Sequence, residues 1–130
     1  MVELLAVGIG GFLGSCLRYL ISRWIGNSSA SFPLGTLLSN VIAGFFIGFI
    51  IGLEQQSVRI PKDKKLFLTT GVLGGLSTLS TFSIETVQLF RSGKYLLSIG
   101  NIALNLGLSL FGTVLGLMAA RMLVKLLSSH

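Results

Sequence analysis

Four long apolar runs separated by short polar ones set the pattern of this chain. The runs cover residues 2–21, 33–53, 66–90 and 95–123, and the stretches between them read "GNSSAS", "EQQSVRIPKDKK" and "RSGK". About 20 predominantly apolar residues make a helix long enough to cross a hydrocarbon core of roughly 30 Å, so each run predicts one membrane-spanning helix. Pro33 suits the first turn of the second, where a missing backbone N–H does no harm. The pattern predicts an all-α membrane protein, one domain of four transmembrane helices over residues 1–130. The connections leave no room for an extramembrane domain, so function is expected within the spans. The first run starts beside Glu3 rather than a basic segment and shows no clear cleavage site, so it reads as a span and not a signal peptide.

Small residues recur at helical spacing inside these runs. Gly10 and Gly14 lie four apart in the first, with Gly8 and Gly11 nearby; Gly44, Gly48 and Gly52 form one ridge in the second; Gly112 and Gly116 mark the fourth. Small residues four apart let helix backbones approach closely, which favours association where lipid removes the hydrophobic incentive. Four short helices close only a thin bundle, so an oligomer is expected.

The third run breaks the apolar pattern. "GVLGGLSTLSTFSIE" (residues 71–85) holds three glycines, five hydroxyl side chains and the carboxylate Glu85. Gly74 and Gly75 weaken a helix, and Ser77, Thr78, Ser80 and Thr81 can satisfy the backbone groups that a break frees. Non-helical backbone at membrane depth is tolerated only where protein buries it or where it lines a wet cavity. A break near the middle of this helix would offer carbonyls to a hard cation, or amides and hydroxyls to an anion. The alternative is a continuous helix whose Ser and Thr bond back one turn.

Other polar groups sit in the apolar runs. Asn40 lies in the middle of the second, Asn101 and Asn105 one turn apart in the fourth, and Thr113 further along it. Each amide carries donors and an acceptor that hydrocarbon cannot satisfy, so these residues either line a path or join helices. Glu85 is the acidic group deepest in a span, a functional candidate by default, or else it reaches for the interface. Arg18 and Arg23 are placed to snorkel, although Arg18 could attract an anion at a pore mouth. The ring of Phe82 has an electropositive edge that could face an anion, or it simply packs. Many neutral donors with little charge suit a small, strongly hydrated ion, without identifying it.

Composition agrees: the chain is 52% hydrophobic and only 11% charged, with a mean hydropathy of +0.86. The net charge of +6 does not point to nucleic acid, because its ten basic residues are scattered with no aromatic platform beside them; they suit lipid headgroups. Arg59, Lys62, Lys64, Lys65, Arg121 and Lys125 fall on one side of a four-span arrangement, and Arg18, Arg23, Arg91 and Lys94 on the other. Such near-balance slightly favours a cytoplasmic N-terminus and permits insertion both ways round. Cys16 has no partner within the chain, no set of zinc ligands is present, and the one histidine is the terminal His130. Nothing here predicts an enzyme.

"GGFLGSCLRY" (10–19), "GTLLSN" (35–40) and "GGLSTLSTFSIE" (74–85) resemble, in order and spacing, the signature segments of the Fluc/CrcB fluoride channels. The resemblance implies a passive fluoride channel of the bacterial plasma (inner) membrane that lets toxic cytoplasmic fluoride leak out. It implies an antiparallel, dual-topology dimer with two pores, and a broken third helix. It also implies a structural sodium ion at the dimer centre, held by backbone carbonyls that match Gly74 and Ser77. The fluoride path would take Asn40, Ser80, Thr81, Phe82, Glu85 and Thr113, with Arg18 near its vestibule. The family pattern has phenylalanine where this chain has Leu79, so the chain is either half of a heterodimer whose paralogous partner supplies the ring, or self-sufficient with a modified pore. Asn101 stands where a tyrosine can occur. Competing readings are a small four-span multidrug or cation exporter, which needs a buried carboxylate in its first span, and a non-conducting structural subunit.

Overall fold

The computed structural model describes residues 1–26 and 32–130, so the predicted connection "GNSSAS" lies, beyond its Gly26, outside the described residues. Among the described residues, four helices are long and apolar enough to cross a membrane. The first two are α1 (Val2–Gly26) and α2 (Leu34–Gln55). The third is composite: α3 (Lys62–Leu66), a π-helical stretch (Phe67–Leu73), α4 (Gly74–Leu76) and, beyond a break, α5 (Leu79–Arg91). The last is α6 (Tyr95–Ser128).

The helices outrun the apolar segments that predict them. Backbone hydrogen bonding does not stop where side chains turn polar, so α1 carries on through Arg23 and Trp24. Pro61, extended at φ −53° and ψ 141°, closes the preceding connection, and the lysine-rich "KDKK" that follows is helical. Between α5 and α6, Gly93 adopts φ +79°, a conformation that a side chain would disfavour.

Two helix pairs make up the bundle, and glycine seams hold both. In the first, α1 runs alongside the first half of the third span. A Cβ on Gly10 would strike the carbonyl of Phe67, and one on Gly14 the carbonyl of Val72. In the second, α2 runs alongside α6: a Cβ on Gly48 would strike the carbonyl of Thr113, and one on Gly116 that of Phe45. Contacts advance together along both chains of each pair, so each pair is parallel. The glycine spacing therefore predicts the seams correctly.

Polarity is inverted relative to a water-soluble protein. Thr36, Ser39, Ser98, Asn101 and Asn105 are buried, whereas leucines, isoleucines and phenylalanines cover the outside of all four helices. With lipid as solvent, apolar surface costs nothing outside, and hydrogen-bonding groups must find partners within.

The third span opens one turn later than its glycines suggest. Gly74 is helical, at φ −65° and ψ −36°, and the chain becomes extended at Ser77 (ψ 152°) and Thr78 (φ −152°, ψ 121°). Gly75 serves close approach instead: its Cβ would lie 2.6 Å from the carbonyl of Gly11 on α1. The π-helical stretch just before, in which the N–H of Gly74 reaches the carbonyl of Thr69, is not foreshadowed by the hydrophobic pattern. Such stretches recur at functional sites.

Candidate functional site

Opening a helix frees backbone groups, and beside the break those of Thr78 and the carbonyl of Gly75 are met by residues from other spans. The N–H of Thr78 donates to Oδ1 of Asn40 at 2.8 Å, and its carbonyl accepts from Nδ2 of Asn40 at 3.3 Å. One side-chain amide thus does the work of a paired peptide. The guanidinium Nε of Arg18 donates to the carbonyl of Gly75 at 3.1 Å, placing a cation at the carbonyl end of the helix, where the dipole favours it. Arg18 is therefore turned inward on the break. Thr78 then caps α5, its Oγ1 accepting from the N–H of Thr81 at 3.2 Å, the usual N-cap arrangement.

An open groove runs beside the break. Gly74, Ser77 and Thr78 form its floor, with Asn40 and Gly44 of α2 on one flank. Leu79 and Phe82 line it from α5, and Asn105 and Ser109 from α6. Leu79 is 75% exposed at the start of α5. The hydroxyl of Thr78 also contacts those of Ser80 (3.3 Å) and Thr81 (3.1 Å), so three hydroxyls cluster on the first turn of α5.

Glu85 and Thr113 stand away from the groove, and α2 connects them to it. Oε1 of Glu85 accepts from the hydroxyl of Thr36 at 2.8 Å. Thr113 donates to the carbonyl of Ser109 at 2.9 Å, and its Oγ1 faces Gly44, 3.1 Å from where a Cβ would sit. Thr36, Asn40, Gly44 and Gly48 are spaced by four and share one face of α2. From Thr36 to Gly44 the polar contacts thus string along a line of about 12 Å, from the rise per residue of a helix, with Glu85 at one end, the break at Asn40 in the middle and the Thr113 hydroxyl at the other. Phe82, half-buried, lines the groove beside the break.

Several participants escaped the sequence-based site. Thr36 is visible only as the donor to Glu85. Ser109 completes a stripe with Asn101, Asn105 and Thr113, four residues apart throughout, a spacing that could have marked it as it marked the asparagine pair. Among the described residues, Oε2 of Glu85 and the hydroxyls of Ser39 and Ser109 are buried without a hydrogen-bond partner.

The break can be tested against a hard cation. Thr78 N–H, the donor that a continuous helix would give to the carbonyl of Gly74, is turned onto Asn40, so that carbonyl is released at the groove floor beside Ser77. Backbone carbonyls are the ligands a hard cation takes, and the two residues fit that use. Among the described residues no three His, Cys, Asp or Glu side chains are grouped to hold a metal.

Comparison with known proteins follows the same lines. Residues 5–117 match the family described as "CrcB-like protein, Camphor Resistance (CrcB)". The chain is 50% identical over 120 residues to the fluoride-specific ion channel FluC of Clostridium perfringens (strain 13 / Type A), covering 92% of this chain and 94% of that relative. It is 47% identical over 120 residues to FluC of Clostridium novyi (strain NT), covering 89% and 91%. To the fluoride-specific ion channel FluC 1 of Methanosarcina acetivorans it is 40% identical over 120 residues, covering 92% of each.

Proposed function

The chain belongs to the CrcB family of fluoride-channel proteins, and on that premise we propose that it is a passive, fluoride-selective channel that lets toxic fluoride leave the cytoplasm. As a member of a channel family it is a multi-pass membrane protein and not an enzyme. The observation that carries the proposal is the line of polar groups along α2, with a helix break at its middle. A fluoride ion must exchange strong water hydrogen bonds for protein contacts at every step, and the hydroxyls clustered on the first turn of α5, beside this line, are neutral groups suited to that exchange.

In this reading the path runs past Glu85, the hydroxyls of Ser80 and Thr81, the edge of Phe82, Asn40 and Thr113. Arg18 contributes positive charge beside the break, and Leu79 a bulky apolar wall. The groove is open in a single chain, and a second copy, inserted the opposite way round, closes it, giving two pores per dimer. The carbonyls of Gly74 and Ser77 would hold a sodium ion where the two copies meet; when bound, the ion supplies a central positive charge that ties the breaks together. The membrane is the plasma membrane, and a bacterial one on the weight of the clostridial relatives, although an archaeal relative shares the same channel name. Because Leu79 supplies no aromatic edge, the second subunit is either another copy or a paralogue carrying phenylalanine there.

A four-span exporter coupled to protons would need a buried carboxylate in its first span. Glu3 is instead exposed and paired with Lys62 at 2.9 Å. The test is anion efflux from liposomes that hold the purified chain alone, under an imposed potential. Fluoride should leave and chloride should not. Equal chloride efflux overturns selectivity, a dimer that passes nothing supports the non-conducting subunit, and flux that appears only with a paralogue assigns the heterodimer.

A further inference from the structure

Which way each asparagine amide faces is settled by the groups at the two ends of a hydrogen-bonded chain. At one end the N–H of Thr78 can only donate, so Oδ1 of Asn40 faces it at 2.8 Å. Nδ2 of Asn40 therefore points the other way and donates to Oδ1 of Asn105 at 3.0 Å. Nδ2 of Asn105 in turn donates to Oδ1 of Asn101 at 2.8 Å and to the carbonyl of Asn101 at 2.9 Å. Nδ2 of Asn101 donates to Oγ1 of Thr86 at 2.9 Å. At this far end the hydroxyl hydrogen of Thr86 is committed to the carbonyl of Phe82 at 2.7 Å, so its oxygen presents a lone pair. Read from either end, the orientation is the same. Turning over one amide sets oxygen against oxygen on one side and N–H against N–H on the other.

We propose that Asn101 and Asn105 are positioning residues, which act through Asn40 to hold the peptide of Thr78 and so fix where α5 begins. Asn101 is fully buried at 0% exposure, and none of its hydrogen bonds reaches the break. The hydroxyls of Thr78, Ser80 and Thr81 cluster at the first turn of α5, so where they sit beside the groove is set from α6. Both Nδ2 hydrogens of Asn40 are engaged, one by Asn105 and one by the carbonyl of Thr78. Asn40 accordingly works as a clamp, and the hydroxyls remain to meet the ion. The geometry stands by itself; its consequence for flux rests on the fluoride-channel reading.

The experiment uses the full chain in lipid, with two readouts: hydrogen exchange at the Thr78 amide, and fluoride efflux. Asn101→Leu keeps the branching at Cγ and removes the relay. It should speed exchange at Thr78 about tenfold, the scale of one lost hydrogen bond, and slow fluoride efflux by about as much, in a monodisperse protein. In an Asn40→Ala background the same substitution should add nothing further at Thr78, whereas an independent packing defect would add. Thr86→Val, nearly isosteric, removes the far acceptor and should shift both readouts the same way by a smaller factor, which keeps the test open if Asn101→Leu folds poorly. Unchanged Thr78 exchange in a folded variant, or additive effects with Asn40→Ala, overturns the relay. A wild-type chain that passes no fluoride overturns the channel reading instead, and leaves the exchange result standing.

Discussion

Glu85 and Thr36 form the pair on which the acidic end of the polar line depends. Oε2 of Glu85 is buried without a partner and Oε1 has the hydroxyl of Thr36. Thr36→Val keeps the shape and leaves a half-buried carboxylate with no donor. A buried group stripped of its partner costs about 1–3 kcal/mol, and more when charged, so the melting temperature in detergent should fall and fluoride efflux with it. Ser83→Ala is the contrasting case. Its hydroxyl is exposed and only bonds back to the carbonyl of Leu79, so stability should change by no more than about 0.5 kcal/mol. Sequence reading flags Glu85 because carboxylates are rare in apolar runs, but Thr36 lies 49 residues away in "GTLLSN", where nothing local marks it as the carboxylate's partner. Of the five hydroxyls in the broken stretch, those of Thr78, Ser80 and Thr81 gather at the cap and that of Ser83 stands apart.

Helices behave here as units docked along glycine seams, and substitutions in the seams should show it. In Gly48→Ala the added methyl meets the backbone carbonyl of Thr113, which cannot rotate aside as a side chain would. Overpacking of this kind costs about 1–3 kcal/mol. Gly107→Ala on α6 meets nothing within 4 Å and should leave the unfolding midpoint unchanged or raise it slightly, since alanine favours helix. The seams were legible because spacing by four is a property of one helix and survives any packing. The π-helical stretch was not, because an extra residue per turn leaves no mark in composition. It occurs where α1 is docked through Gly10 and Gly14, and where Gly71 comes within 2.8 Å of the Gly10 Cα if given a Cβ.

At the scale of the molecule, charge and apolar cover decide how the chain sits in lipid. Basic residues divide six to four between the two sides, a bias too small to enforce one orientation. In a Cys16→Ser background, Lys64→Cys places a reporter at an exposed site in α3. An impermeant thiol reagent added outside sealed cells should label about half of the molecules if insertion is mixed, and nearly all or none if it is uniform. Two ion pairs, Lys62 with Glu3 at 2.9 Å and Lys65 with Glu54 at 2.7 Å, join three helices at that same end. As surface pairs they contribute at most about 1 kcal/mol each, so the bundle does not rest on them.

From the sequence alone came the solvent, the number of spans, the seams between helices and the polar character of the third span. Each is written in local composition or in spacing along one helix, and the physics of transfer into hydrocarbon reads it directly. Tertiary structure decided where that span opens and which groups answer the exposed backbone. Asn40 finds Thr78 across 38 residues, Arg18 finds Gly75 across 57, and Asn40 finds Asn105 across 65. No local signal encodes such partners, because a freed peptide group accepts any donor that packing delivers, and packing is settled by all the helices together.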